Sequence, residues 1–145
     1  MLPSCFFMEF IMKKLIILSG SSRYGKTETL ICLSKKFKTI SATSCYSPND
    51  FRYICDKNGK KICICTAGDS ASITNDNINF FNQHKNCDVF ISAARSSGAT
   101  VNLLVDWANA NKIDYIYVTK SWLEDKNNNF HFFNDKFADF LNSLI

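Results

Sequence analysis

The sequence predicts an α/β fold: a three-layer sandwich with a mostly parallel sheet of about five strands, helices on both faces, and a glycine-rich loop after the first strand. Three observations carry this. Short apolar runs suited to buried strands alternate with longer segments at helical spacing, the order that gives parallel sheets covered by helices. The first run leads straight into a loop bounded by Gly20 and Gly25, which opens a helix. The 145 residues, 46% hydrophobic and 21% charged, suit one globular domain with a single core. No repeat, low-complexity tract or interdomain linker interrupts them.

Residues 1–11 are apolar but lack the basic start of a secretory signal, are interrupted by Glu9, and are too short to span a bilayer. They read as an N-terminal extension, or as an edge segment packed on the body, with residues 12–145 as the domain. Residues 13–19 form a buried strand and residues 28–37 the first helix. Residues 39–43 make a short second strand, followed by a looser stretch with Pro48 and Asn49. Residues 51–55 and 61–65 flank Asn58-Gly59, a pair that favours the positive φ angles of a tight hairpin turn. The antiparallel partner therefore sits toward an edge of the sheet. Residues 73–81 form a helix with Ile78 and Phe81 on one side, and residues 88–93 a buried strand. Val101, Leu104, Val105 and Ala108 stripe a helix over 100–109. Residues 113–118 make a further strand, and residues 125–129, without an apolar side chain, a loop. Phe133, Phe137, Phe140, Leu141 and Leu144 recur at helical spacing and close the chain with a helix.

The loop itself is Gly20-Ser21-Ser22-Arg23-Tyr24-Gly25-Lys26-Thr27, which fits G-x-x-x-x-G-K-[ST] at every fixed position. Glycines let successive backbone N–H groups turn inward toward phosphate oxygens. Lys26 supplies a flexible point charge for the outer phosphates, and the Thr27 hydroxyl suits Mg²⁺. Strand, loop and helix N-terminus follow in the order an anion site requires. Arg23 folding over phosphates and Tyr24 stacking on a base stand against both simply facing solvent.

With its flanking strand and helix, this segment resembles the P-loop NTPase superfamily, and small nucleotide kinases within it. The motif covers eight residues, and the α/β alternation extends the likeness loosely from residue 12 to the end. The resemblance implies that Gly20, Ser21, Ser22, Arg23, Tyr24, Gly25, Lys26 and Thr27 bind ATP or another nucleoside triphosphate with Mg²⁺. The ligand would lie at the C-terminal ends of the strands. Such proteins commonly end a later buried strand with an aspartate for the metal's water shell. Here that strand ends in Cys65, followed by Thr66-Ala67-Gly68-Asp69-Ser70. Asp69 is the nearest carboxylate, a candidate for the metal with Thr27, for orienting the attacking group, or for a second substrate. Alternatively Asp69 or Ser70 caps the next helix. Cys65-Thr66-Ala67-Gly68-Asp69 and Thr119-Lys120-Ser121-Trp122 partly match two GTPase segments, but each lacks the decisive aspartate, so adenine is the default base.

Arg95 follows the strand over 88–93 and opens a cluster, Ser96-Ser97-Gly98-Ala99-Thr100. It could clamp a phosphate or steady charge on a transferring phosphoryl group; the bland reading is a solvated arginine with Ser97 or Gly98 as helix cap. Lys26, Asp69 and Arg95 are thus the catalytic candidates. They point to a small Mg²⁺-dependent phosphotransferase or kinase-like NTPase with a small-molecule acceptor. The alternative is a regulatory nucleotide switch with slow hydrolysis, acting through a protein partner or a homodimer. A fold that has lost nucleotide binding ranks last, because the Lys26-Thr27 pair is intact.

The net charge of +4 is scattered, so no basic stripe points to nucleic acid and nothing points to a membrane. Seven cysteines, an odd count with several inside apolar strand or helix runs, read as free thiols of a reducing, cytoplasmic compartment. A zinc site from Cys45, Cys55, Cys63 and Cys65 lacks the C-x₂-C spacing. His84 suits a helix end, His131 an amphipathic surface, and Trp107 and Trp122 packing.

Overall fold

β1 (Lys14–Ser19) is buried along nearly its whole length and lies inside the sheet rather than at its edge. The computed structural model describes residues 12–20, 25–120 and 130–145. Residues 1–11, 21–24 and 121–129, including the expected 125–129 loop and Trp122, lie outside the described residues. After β1 come α1 (Lys26–Ser34), β2 (Lys38–Cys45), β3 (Ser47–Lys57), β4 (Lys60–Cys65) and α2 (Ala71–Gln83). β5 (Val89–Ala94), α3 (Thr100–Ala110), β6 (Asp114–Thr119) and α4 (Phe130–Ser143) complete the described chain.

The sheet corrects the expected one. It has six strands in the order β2-β3-β4-β5-β1-β6 and is mixed, not a mostly parallel sheet of about five. β4, β5, β1 and β6 pair in parallel, whereas β2-β3 and β3-β4 are antiparallel. Thus the first strands after α1 form an antiparallel meander of their own, where the sequence suggested one edge partner.

The physical reason lies in β2 and the start of β3. β2 is exposed over Lys38–Ser44, so no buried face imposes the alternation by which a half-buried strand is recognised. Its turn into β3 is a single residue, Tyr46, at φ 56, and turn chemistry does not favour tyrosine there. The register then jumps from Ser44 opposite Phe51 to Cys45 opposite Ser47, leaving residues 48–50 outside the ladder. Pro48, which has no N–H to give a ladder, falls in this gap. What looked like a loose stretch is therefore a bulged strand. The next turn follows its sequence: Asn58 and Gly59 both take positive φ, at 53 and 89.

Side-chain alternation along β1 divides the core. Leu15 and Ile17 join Phe81, Phe90, Leu104 and Trp107 under α2 and α3. Ile16 and Leu18 face the other way, onto Leu30 and Leu33 of α1 and Ala138 and Leu141 of α4. On the first face Phe81, Phe90 and Trp107 meet with ring centroids 5.2–5.3 Å apart. Trp107 is thus a packing residue, with its indole N–H donating to Asn82 Oδ1 at 2.9 Å. His84 forms the C-cap of α2 and lies tilted on Phe80.

This division also positions the site. β1 and β5 are neighbours, yet α1 after β1 covers one face and α3 after β5 covers the other. Their connections diverge at the C-terminal strand ends, where open α/β sheets take ligands.

Candidate functional site

Gly25 is the N-cap of α1, left-handed at φ 74, and no side chain caps the helix there. A Cβ on Gly25 would stand 2.6 Å from Asn134 Oδ1 and 3.0 Å from Lys120 Nζ, so conformation and space both demand glycine. Gly25 thus offers the first N–H groups of α1 no side-chain cap. Ser21, Ser22, Arg23 and Tyr24 lie outside the described residues.

Lys26 follows and is 6% exposed. Its ammonium donates to the Gly20 carbonyl at 2.6 Å and the Ala94 carbonyl at 2.9 Å, bridging the ends of β1 and β5. Its remaining donor faces Asp69 Oδ1 at 3.5 Å. Burial pushes the Lys26 pKa down, Asp69 opposes the shift, and the positive charge of Arg95 adds to it. Among the described residues the one carboxylate paired with this buried cation is that of Asp69, itself 59% exposed.

Asp69 reaches that place because Gly68 packs flat on β5. A Cβ at Gly68 would fall 1.9 Å from the Ala93 carbonyl oxygen, backbone that cannot yield. Of the two capping candidates, Ser70 caps α2, its hydroxyl accepting from the Ile73 N–H at 3.2 Å, and Asp69 turns to Lys26. Arg95 is exposed at the β5 end. Its backbone N–H is fixed by Thr100 Oγ1 at 3.0 Å. The N-cap of α3 is Ala99, without a side-chain cap, so neither Ser97 nor Gly98 fills that role.

Thr27 points to a different neighbour. Its hydroxyl lies 3.2 Å from Asp50 Oδ1 and 3.2 Å from the Thr66 carbonyl. These are oxygen donors throughout, the set a hard cation such as Mg²⁺ prefers, so residues and metal fit. Behind Gly25, Lys120 leaves β6 with its N–H on the Ser19 carbonyl at 2.8 Å and its ammonium on Asn134 Oδ1 at 2.8 Å. Asn134 in turn donates to Glu28 Oε2 at 2.7 Å, tying α4 to α1. Burial lowers the Lys120 pKa, and Glu28 opposes it.

Of the sequence candidates, Lys26, Asp69 and Arg95 gather at the ends of β1, β4 and β5, with Gly20, Gly25 and Thr27 beside them. Sequence reasoning missed three residues. Lys120 carried a signal, the partial Thr119-Lys120 match. Asn134 and Asp50 carried none, because one sits in an aromatic-striped helix and the other in the bulge of β3.

Cys32, Cys45, Cys55, Cys63, Cys65 and Cys87 are free. Among the described residues no group of three or more His, Cys, Asp or Glu side chains could hold a metal, so the four-cysteine zinc alternative finds no support. Burial raises the Cys65 thiol and pushes Cys55 up to about 11. A groove lined by Lys36, Phe37, Lys38, Asp56, Lys57 and Asn142 lies at the opposite, N-terminal end of β4. Its Lys36 and Lys57 are already paired with Asp139 and Asn142. Among the described residues no helix is long and apolar enough to cross a membrane. Comparison with protein-family models, with curated proteins and with solved structures finds no match, so the chemistry of this site is argued from its own residues.

Proposed function

We propose that this chain is a P-loop protein that binds a nucleoside triphosphate, ATP by default, with Mg²⁺, and transfers the terminal phosphoryl group to a small-molecule acceptor. One observation carries the reading. Lys26 is buried at the divergence of β1 and β5, held by two strand-end carbonyls, with its third donor open toward an exposed carboxylate. A phosphate oxygen could displace that carboxylate and supply negative charge to the buried ammonium.

The roles follow from position. The N–H groups at the start of α1 and the Lys26 ammonium would grip the outer phosphates, while the Thr27 hydroxyl would take a place on the metal. Mg²⁺, when bound, would supply positive charge against the charge that builds in transfer. Released from Lys26, Asp69 could orient an acceptor hydroxyl. Arg95, exposed beside Lys26, could meet charge on the phosphoryl group or an acceptor phosphate. The γ-phosphoryl group would pass from the β-phosphate oxygen to the acceptor oxygen, leaving nucleoside diphosphate. Free thiols at all the described cysteines suit a reducing, cytoplasmic setting.

The test follows label from γ-³²P-ATP into nucleosides, nucleoside monophosphates and water. The proposal expects Mg²⁺-dependent labelling of one acceptor well above hydrolysis. Arg95→Ala should cut it roughly a hundredfold while leaving ATP affinity unchanged. Hydrolysis alone, at the same slow rate with every acceptor, would replace the phosphotransferase with the regulatory switch.

A further inference from the structure

We infer that Asp50, at the bulged start of β3, is the carboxylate that holds the water shell of a nucleotide-bound Mg²⁺ beside Thr27, a role the sequence pattern offered to Asp69. This rests on the proposed nucleotide site and assigns it a residue.

The geometry of Asp50 is fixed from three sides. Oδ1 accepts from Thr66 Oγ1 at 3.2 Å and shares the Thr27 hydroxyl proton with the Thr66 carbonyl, each 3.2 Å from Thr27 Oγ1, and Oδ2 accepts from Ser47 Oγ at 3.1 Å. A carboxylate offers about four acceptor positions, so one is left for a metal-bound water. The Thr27 hydroxyl is equally suited. Giving its proton to Asp50 leaves oxygen lone pairs for a cation, and a cation on that oxygen makes the proton a stronger donor. The hydrogen bond and the metal contact therefore reinforce one another. Mg²⁺ keeps several waters and takes one or two carboxylates plus substrate phosphates, so a single aspartate beside the threonine suffices.

The backbone points the same way. Residues 48–50 leave the ladder between the Ser44–Phe51 and Cys45–Ser47 pairs. Such irregularities re-aim side chains next to functional sites. The Phe51 N–H on Thr66 Oγ1 at 2.9 Å then clamps the bulge to the end of β4. Asp69 is placed otherwise, on the Lys26 ammonium and more than half exposed.

The experiment measures Mn²⁺, as a Mg²⁺ substitute, by electron paramagnetic resonance on protein saturated with a non-hydrolysable ATP analogue. Nucleotide affinity is measured in parallel with chelator present. Asp50→Asn should weaken Mn²⁺ tenfold or more and leave chelator-condition nucleotide affinity within twofold. Asp69→Asn should leave Mn²⁺ affinity within threefold, and Asp50→Glu should recover part of what Asp50→Asn loses. Wild-type Mn²⁺ affinity in a folded Asp50→Asn variant, or its loss in Asp69→Asn, overturns the inference. If Asp50→Asn does not fold, Asp50→Ser decides: Mn²⁺ affinity within twofold of wild type overturns the role, and a loss of tenfold or more supports it. Nucleotide binding with a metal dependence indifferent to Asp50 refutes the assignment alone. A wild-type protein that binds no nucleotide, with or without metal, overturns the site itself.

Discussion

The two halves of the sheet solve different problems. The parallel half, β4-β5-β1-β6, includes three strands, β1, β4 and β5, that are almost wholly buried between helices. The antiparallel arm, β2 with the start of β3, is exposed and polar. Stability resides in the first, where strand residues fill both cores. The arm adds little burial, yet it delivers Asp50 to Thr27. In this molecule a segment of low packing value still sets a carboxylate against Thr27, held by the hydroxyls of Ser47 and Thr66 and by a bulge.

The largest effect that separates the halves is in stability. Phe90→Ala removes a fully buried ring between Phe81 and Trp107 and should cost about 3–5 kcal/mol in urea unfolding. Ile40→Ala in β2, at a side chain 50% exposed, should cost no more than about 0.5 kcal/mol. Comparable losses at both positions would break the comparison and mean that β2 buries more than its exposure indicates.

A smaller effect sharpens it through pH. The ordinary thiol value is 9.0, and burial of Cys55, where the inner end of β3 packs into the core under the first and last helices, pushes it up to about 11. Between these values the unfolded chain releases a proton that the folded chain keeps, so stability should fall as pH rises from about 9 to about 11. Cys55→Ala should make that part of the urea-midpoint curve shallower, with Cys65 and the other thiols that burial raises keeping the rest of the slope; an unchanged slope would exclude Cys55 as a contributor.

The same division explains what the sequence made legible. Buried strands such as residues 14–19 and 89–94 are continuous apolar runs, and the amphipathic helix over 100–110 shows its stripe, because burial writes itself into composition. Asn58-Gly59 announced its turn through backbone chemistry. Lys26, Thr27, Asp69 and Arg95 are legible as candidates because each ends or follows such a readable element. The mixed character of the sheet was not readable. β2 has no buried face, and Tyr46 makes a turn without turn-type chemistry. Asp50 was hidden for the same reason: its meaning comes from a register jump that places it across from Thr27, 23 residues away in sequence. Asn134 lies further still, 105 residues from its partner Thr29.

The central claim is that Lys26 anchors a triphosphate at the divergence of β1 and β5. The most direct measurement is calorimetric titration of the purified protein with ATP and with GTP, each with Mg²⁺, beside Lys26→Ala. Losing a charge-assisted contact of about 1.5–3 kcal/mol predicts affinity at least tenfold weaker in the variant, with its fold intact by circular dichroism. Equal affinity in wild type and variant, or no heat from either nucleotide with wild type, would contradict the account.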